Sequence, residues 1–146
     1  MFADTDFLRN DEIYLSLDRL AEGDPVKGWV PAYHFVICLL DGTPVGKCDL
    51  RIGHNEKLYI GGNIGYSVDE PYRGHHYAGK ACRLLFELAK KHELGYVYIT
   101  CNVNNAASAR TCEWAGGRLI ATEPVPEDSD MYLRGYRHVY VYRFEL

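Results

Sequence analysis

The segment Val68–Lys80 (VDEPYRGHHYAGK) concentrates the groups in this chain that can hold an anion. Arg73 offers a planar, permanently charged fork that suits a phosphate. Gly74 beside it lets the main chain approach a ligand closely. An apolar stripe at Tyr77, Ala81, Leu84, Leu85 and Leu88 follows at once, with the spacing of an amphipathic helix. The amides of His75, His76, Tyr77, Ala78 and Gly79 therefore fall at a helix start, where unpaired N–H groups and the helix dipole favour negative charge. On these residues alone the segment is either a phosphate loop or a polar helix cap. It is not the nucleotide-binding P-loop, because no G-x-x-x-x-G-K-(S/T) occurs.

Groups that could move a proton lie nearby in the chain. His54 and Glu56 stand in a polar stretch before a glycine-rich run, and an imidazole with a pKa near ~6.5 suits proton removal at neutral pH. The same stretch also reads as a polar surface loop. Tyr66 could pass a proton through a water or serve as packing. His75 and His76 are adjacent, diverge in direction and have no third ligand at metal spacing, so no metal site is expected. The five cysteines, Cys38, Cys48, Cys82, Cys101 and Cys112, form no CxxC pair. They read as reduced, mostly buried thiols of a cytosolic protein, and Cys101 and Cys112 as structural groups rather than nucleophiles.

The elements that must position these groups follow from periodicity. Residues 12–20 alternate, with Ile13, Leu15 and Leu17 on one face, which predicts a strand. Residues 21–31 carry glycines and prolines and read as a loop. Strands are expected over Tyr33–Leu40, Val45–Ile52, residues 60–68, Tyr96–Cys101, Leu119–Thr122 and Val139–Phe144. Asp41-Gly42 makes a hairpin turn, and residues 123–135 a polar loop. Helices are expected over Tyr77–Lys91, with Gly95 as its stop signal, and over residues 106–115. The order β-β-β-β-α-β-α-β-β implies an α/β (α+β) fold, a mixed but mostly antiparallel sheet with helices on its faces. With no repeat or linker, residues 1–146 read as a single domain. The formal net charge of −4 argues against nucleic acid as a general partner. No apolar stretch approaches the roughly 20 residues needed to cross a bilayer, and no signal-peptide layout is present, so a cytoplasmic protein without a membrane partner is expected.

Taken in order, these segments resemble the GNAT (GCN5-related N-acetyltransferase) superfamily. Val68–Lys80 is similar to its motif A, whose phosphate loop reads (Arg/Gln)-x-x-Gly-x-(Gly/Ala). Arg73 stands at the first position and Ala78 at the last, while His76 replaces the middle glycine. Ile64–Val68 looks like the family's fourth strand, whose main chain pairs with the pantetheine arm. Asn105 and Ser108, followed by Cys112-Glu113 and Gly116-Gly117, are similar to motif B, where an asparagine contacts the cofactor arm. The segments Gly61–Val68 and Thr100–Ser108 also resemble one GNAT subgroup, and the likeness covers roughly residues 45–122.

The resemblance implies acetyl-CoA as co-substrate, held by Ser67, Val68, Arg73, Gly74, His75, His76, Tyr77, Ala78, Gly79, Asn105 and Ser108. It implies direct transfer of the acetyl group to a primary amine of a small molecule or peptide. The Val68 amide would face the thioester oxygen, and His54, Glu56 or Tyr66 would manage the amine's proton. From their own chemistry, aromatic beside charged, Trp29, Tyr33, Asp130, Tyr132 and Arg134 suit an acceptor pocket for a polar amine, and equally a dimer contact or a lid. By family analogy the chain forms a homodimer, for which the tail Tyr136–Phe144 is suited. Two departures are plain. Only the loop 21–32 stands where many members have two helices, and Cys112 replaces the tyrosine that protonates the departing thiolate. They keep open a catalytically silent acyl-CoA-binding or sensing domain.

Overall fold

The computed structural model describes residues 1–146. Strands β1 (Ile13–Ala21), β2 (Ala32–Leu39) and β3 (Pro44–Arg51) form an antiparallel meander. A short helix, α1 (Glu56–Gly61), precedes β4 (Ile64–Val68), which pairs with β3 and completes a sheet in the order β1-β2-β3-β4. Helix α2 (Tyr77–Lys91) carries the chain to β5 (Tyr96–Asn102), and α3 (Ala106–Trp114) carries it to β6 (Arg118–Pro124). After the short α4 (Asp130–Leu133), β7 (His138–Glu145) inserts between β5 and β6, giving a second antiparallel sheet, β5-β7-β6. No helix is long and apolar enough to cross a membrane.

The two-residue alternation of the strands sorts their side chains by face. Tyr33, Phe35 and Ile37 of β2, Leu50 of β3, and Val97 and Ile99 of β5 turn to one side. There they meet Ala81, Leu85 and Leu88 of α2 in a single buried core. The opposite face of the second sheet is covered locally, where Val139 and Val141 pack under Tyr59 and Ile60 of α1 and Met131 of α4.

The crossover through α2 makes β4 and β5 parallel neighbours, yet they meet only at their starts. Asn63, just before β4, donates its main-chain N–H to Tyr98 O at 2.7 Å, and its Oδ1 accepts the Tyr98 N–H at 2.9 Å. Its Nδ2 donates to Arg51 O at 3.1 Å and Gly53 O at 2.9 Å, and its carbonyl accepts the Arg51 N–H at 2.7 Å. Asn63 is fully buried with its polar groups engaged, as a buried amide must be. Beyond this clasp the two strands belong to separate sheets and diverge.

Two expectations are corrected. The run 60–68 is not one strand: Asn55 Oδ1 caps α1 by accepting the Leu58 N–H at 2.9 Å, and Gly62 at φ +82° turns the chain before β4 begins. Leu17 keeps the register of Ile13 and Leu15, standing across from Phe35, yet is 43% exposed on the edge strand; the bulge that follows it, between Leu17 and Arg19, shifts the alternation of the rest of β1. The loop 123–135 contains α4, whose start is capped by Ser129. The segment between β1 and β2 is helix-free, as expected, and is held against α1 by the Asn55 Nδ2–Gly28 O bond of 3.1 Å.

Candidate functional site

The site begins where β4 ends. A turn of 3-10 helix at Glu70–Tyr72, started by Pro71, leads to Arg73. The chain then takes up positive φ twice, at Gly74 (+93°) and at His76 (+61°). The first helical bond of α2 is Lys80 N–H to His76 O, at 2.9 Å. None of the amides from Gly74 to Gly79 meets a protein acceptor, and His76 supplies no side-chain cap. A helix start left in this condition is a cradle for an anion.

The left-handed backbone at His76 is the physical reason for a glycine in the related motif. A side chain there costs on the order of 1 kcal/mol. Here the imidazole lies flat on Trp114 of α3, with ring centroids 4.5 Å apart and planes at 8°, which offsets the strain. Trp114 in turn packs onto Gly79, where an added Cβ would come within 2.4 Å of the indole. The Arg83 guanidinium lies 4.0 Å from the same ring. Gly79 thus admits the tryptophan that locks α2 to α3, and its Cα faces α3 rather than a ligand.

Between the diverging β4 and the starts of α2 and α3 lies a cleft of about 470 Å³. Ser67, Val68, Arg73, Gly74, His76, Tyr77, Ala78, Asn105 and Ser108 all line it, so most of the residues singled out in sequence converge. His75 and Gly79 do not line it and can contribute only main-chain groups. Arg73 Nε donates to Val68 O at 2.8 Å, which fixes the guanidinium at the mouth. Strand parity orients the rest of β4. The Arg51 N–H to Asn63 O bond (2.7 Å) and the Asp69 N–H to Val45 O bond (2.8 Å) turn alternate residues toward β3. The main-chain groups of Tyr66 and Val68 consequently face the open side. Sequence reasoning missed Arg110, which sets a second guanidinium on the α3 wall, and Tyr72 and Thr111. A cation on the motif B helix was the available signal for Arg110.

At the inner end of the cleft the Tyr66 hydroxyl lies 2.7 Å from Ser108 Oγ, 3.2 Å from Ser108 O and 3.6 Å from Cys112 Sγ. Burial, reinforced by the Cys112 thiol, pushes the Tyr66 hydroxyl far above its ordinary pKa. It therefore stays protonated at neutral pH and cannot serve as a base there. The adjoining Cys101 and burial likewise hold Cys112 protonated, and a buried neutral thiol is a poor nucleophile.

His54 and Glu56 do not join this cleft. They line a separate depression with Tyr59, Tyr96 and Tyr98 near the start of β5. His54 Nε2–H donates to Leu94 O at 3.0 Å and its ring stacks on Tyr96 at 4.1 Å, which holds it at the start of β5. Tyr33 is no pocket wall either. It is buried in the core, accepting the Ala3 N–H and donating to His92 Nε2, each at 2.6 Å. Trp29 projects from the β1–β2 loop, away from Asp130 and Tyr132 of α4 in sequence and 57% exposed.

A family model described as an acetyltransferase (GNAT) domain matches residues 8–118. Among solved structures, the fold is similar to an acetyltransferase of the GNAT family from Bacillus anthracis, at 19% identity over 77% of this chain and 65% of that one, with a TM-score of 0.59. It is similar to RimL, a ribosomal L7/L12 alpha-N-protein acetyltransferase in complex with coenzyme A, at 20% identity over 83% and 64%, TM-score 0.63. It is also similar to the microcin C7 self-immunity acetyltransferase MccE in complex with acetyl-CoA and AMP, at 19% identity over 79% and 61%, TM-score 0.62. At these identities the likeness is one of fold, and the chain spans less than two thirds of the length of these structures. No curated protein sequence matches the chain.

Proposed function

Because the chain belongs to the GNAT acetyltransferase family, we propose that it transfers an acetyl group from acetyl-CoA to a primary amine of a small molecule or peptide by direct attack. One observation carries this reading. The unclaimed amides of Gly74–Gly79 open onto a cleft that also holds Arg73, Arg110 and the free main-chain edge of β4. That arrangement fits an anionic pyrophosphate followed by an extended, amide-bearing arm, and the cleft volume of about 470 Å³ is of cofactor size.

Acetyl-CoA supplies a thioester whose carbonyl accepts the amine and whose sulfur departs as a thiolate. The chain's own groups divide the remaining work. The amides of Gly74–Gly79 and the guanidinium of Arg73 bind phosphate. The Val68 N–H, turned to the open side, is the donor for the thioester oxygen, a fixed dipole that needs no reorganisation. Ser108 Oγ, with Tyr66 behind it at 2.7 Å, is placed to return a proton to the sulfur. Holding both reactants in one cleft contributes through proximity.

The test is calorimetric titration of acetyl-CoA into the wild type and into an Arg73→Ala/Gly74→Asp double variant, followed by thiol release with trialanine and spermidine as amine probes. Binding lost in the variant together with amine-dependent release of CoA supports the reading. Binding without release for any amine favours the silent binding domain instead. No binding by the wild type removes both.

A further inference from the structure

The face of the first sheet turned away from the helices carries a charged group that the cleft does not use. Strand alternation sends Phe35, Cys48 and Leu50 into the core and leaves His34, Asp49 and Arg51 on the opposite face. Asp49 stands directly across from Gly65 of β4, and its Oδ1 accepts the Gly65 N–H at 3.0 Å. Its Oδ2 is 4.0 Å from His34 Nδ1 and 3.6 Å from Arg51 Nη2. Arg51 is itself fixed, its Nη1 donating to Gly62 O at 2.9 Å. A side chain at Gly65 would crowd this carboxylate, since an added Cβ would lie 3.2 Å from Oδ1.

Position gives the cluster its meaning. Gly65 lies between Asn63, where β4 and β5 are clasped, and Tyr66, where the cleft opens. Tyr66 reaches toward α3 on the helix side of β4, whereas Asp49 and His34 stand on the far side of the same strand. A thioester lodged between the diverging strands would have the Tyr66–Ser108 hydroxyls on one side and this histidine–aspartate pair on the other. The 4.0 Å between His34 Nδ1 and Asp49 Oδ2 is a charge contact longer than a hydrogen bond, so the imidazole stands beside the carboxylate with its ring nitrogens unclaimed by the protein and its side chain 25% exposed. An amine arriving as an ammonium must lose a proton before it can attack, and a carboxylate-oriented imidazole is suited to take it.

We propose that His34, oriented by Asp49, accepts the proton of the attacking amine from the face of β4 opposite the cofactor cleft, an inference that rests on the acetyl-transfer reading. The balance is complete. The ammonium N–H gives its proton to Nε2, and the freed nitrogen lone pair forms the C–N bond as the C–S bond breaks. The thiolate takes a proton from the Ser108–Tyr66 side, the acylated nitrogen sheds its second proton and so restores the one that pair gave up, and the imidazolium releases its own to solvent. His34 is the catalytic residue in this scheme and Asp49 a positioning residue. Desolvation draws the His34 pKa down against the opposing pull of Asp49, so the ring is neutral and able to accept at pH 7. The charged groups that face it are Asp49, Arg19, Arg51 and Asp18. His54, whose Nε2 donates to Leu94 O and whose ring stacks on Tyr96, stands in the separate depression at the start of β5.

The experiment measures kcat/KM against pH for wild type, His34→Gln and Asp49→Asn with whichever of trialanine and spermidine is the better acceptor, so that the amine's own ionisation is common to all three. Calorimetry with acetyl-CoA serves as the control for folding and for the cofactor cleft. His34→Gln should lower kcat/KM about 100-fold and abolish the acid limb due to the enzyme, with acetyl-CoA affinity unchanged within about twofold. Asp49→Asn should retain the limb but shift it to lower pH, because the imidazolium loses its carboxylate partner. Activity of His34→Gln within about threefold of wild type, or an enzyme acid limb that persists in it, overturns the inference alone. A wild type that binds acetyl-CoA and acetylates neither amine overturns the transfer reading and this inference together.

Discussion

The two ends of the β4–β5 junction are built from the same pair of strands and solve opposite problems. At the closed end Asn63 joins the strands by engaging Tyr98, Arg51 and Gly53, with its side chain fully buried. At the open end the strands part, and the polar groups that pairing would have consumed are left free apart from the Val68 carbonyl, which Arg73 Nε takes. The main-chain groups of Tyr66 and Val68 face the gap, and the Gly74–Gly79 amides stand unclaimed beside it. In a folded protein a free main-chain group is a cost unless water or a ligand meets it. The closed end is thus a structural joint, and the open end a binding surface that the joint holds apart. Mutations at one end should read out as stability and at the other as affinity or turnover.

Asn63→Ala is the most severe test of that division. It strands the Tyr98 N–H and the carbonyls of Arg51 and Gly53, at about 1–3 kcal/mol for each group left buried and unpaired. A total loss of about 3 kcal/mol or more is expected in urea unfolding. A loss below about 1 kcal/mol would mean that the clasp is not what joins the sheets. The Arg73→Ala/Gly74→Asp double variant comes next. Removing a guanidinium and placing a carboxylate in the cradle should weaken acetyl-CoA about 100-fold, equivalent to about 2.7 kcal/mol, with a smaller stability change than at Asn63. If stability fell as far as affinity, the open end would be structural too.

Tyr66→Phe should have a smaller effect, confined to chemistry. It deletes the hydroxyl 2.7 Å from Ser108 Oγ and leaves the ring in place. Turnover should fall about tenfold with acetyl-CoA affinity nearly unchanged, as measured by initial rates and calorimetry. Equal losses in both would place Tyr66 in cofactor binding rather than proton return. The smallest effect concerns acid. Desolvation lowers the pKa of His92 and of His34 in the folded state. A histidine with a depressed folded pKa contributes stability that is fully present above its unfolded value of about 6.5 and is lost as pH falls through the folded pKa. Protonating His92 also removes the acceptor of the Tyr33 hydroxyl, to which Ala3 is bonded. The melting temperature should therefore decline as pH falls below about 6.5, and His92→Gln should flatten that decline without altering acetyl-CoA binding. An unchanged slope in His92→Gln would assign the acid sensitivity elsewhere.

Much of the fold was legible because its signals are local. The stripe Tyr77–Leu88 gives α2 as observed, and Tyr96–Cys101 gives β5 to within one residue. The glycine-rich run 60–68 was misread because Asn55 and Gly62, a cap and a left-handed turn, break a pattern whose apolar content alone suits a strand. Leu17 keeps the face that its alternation with Ile13 and Leu15 predicts, and the bulge beyond it, which moves Arg19 and Leu20 out of that pattern, has no signal in composition. In the candidate site the anion loop was legible, including the anomaly at His76. Its resolution was not, since the Trp114 ring that compensates the positive φ lies on another helix.

The sequence by itself determined the periodicities, the helix start that follows Arg73, and the resemblance of two motifs in order, all of which depend on residues within a turn or a strand of one another. Only the tertiary structure decided which proton carriers meet. His54 and Glu56, beside β4 in the chain, are held at the start of β5. His34, Asp49 and Gly65 come together across three strands, and Tyr66, Ser108 and Cys112 across a strand and a helix. Those meetings depend on sheet register and on the clasp at Asn63. Register is a long-range property: a slip of one residue would turn every one of these side chains to the opposite face.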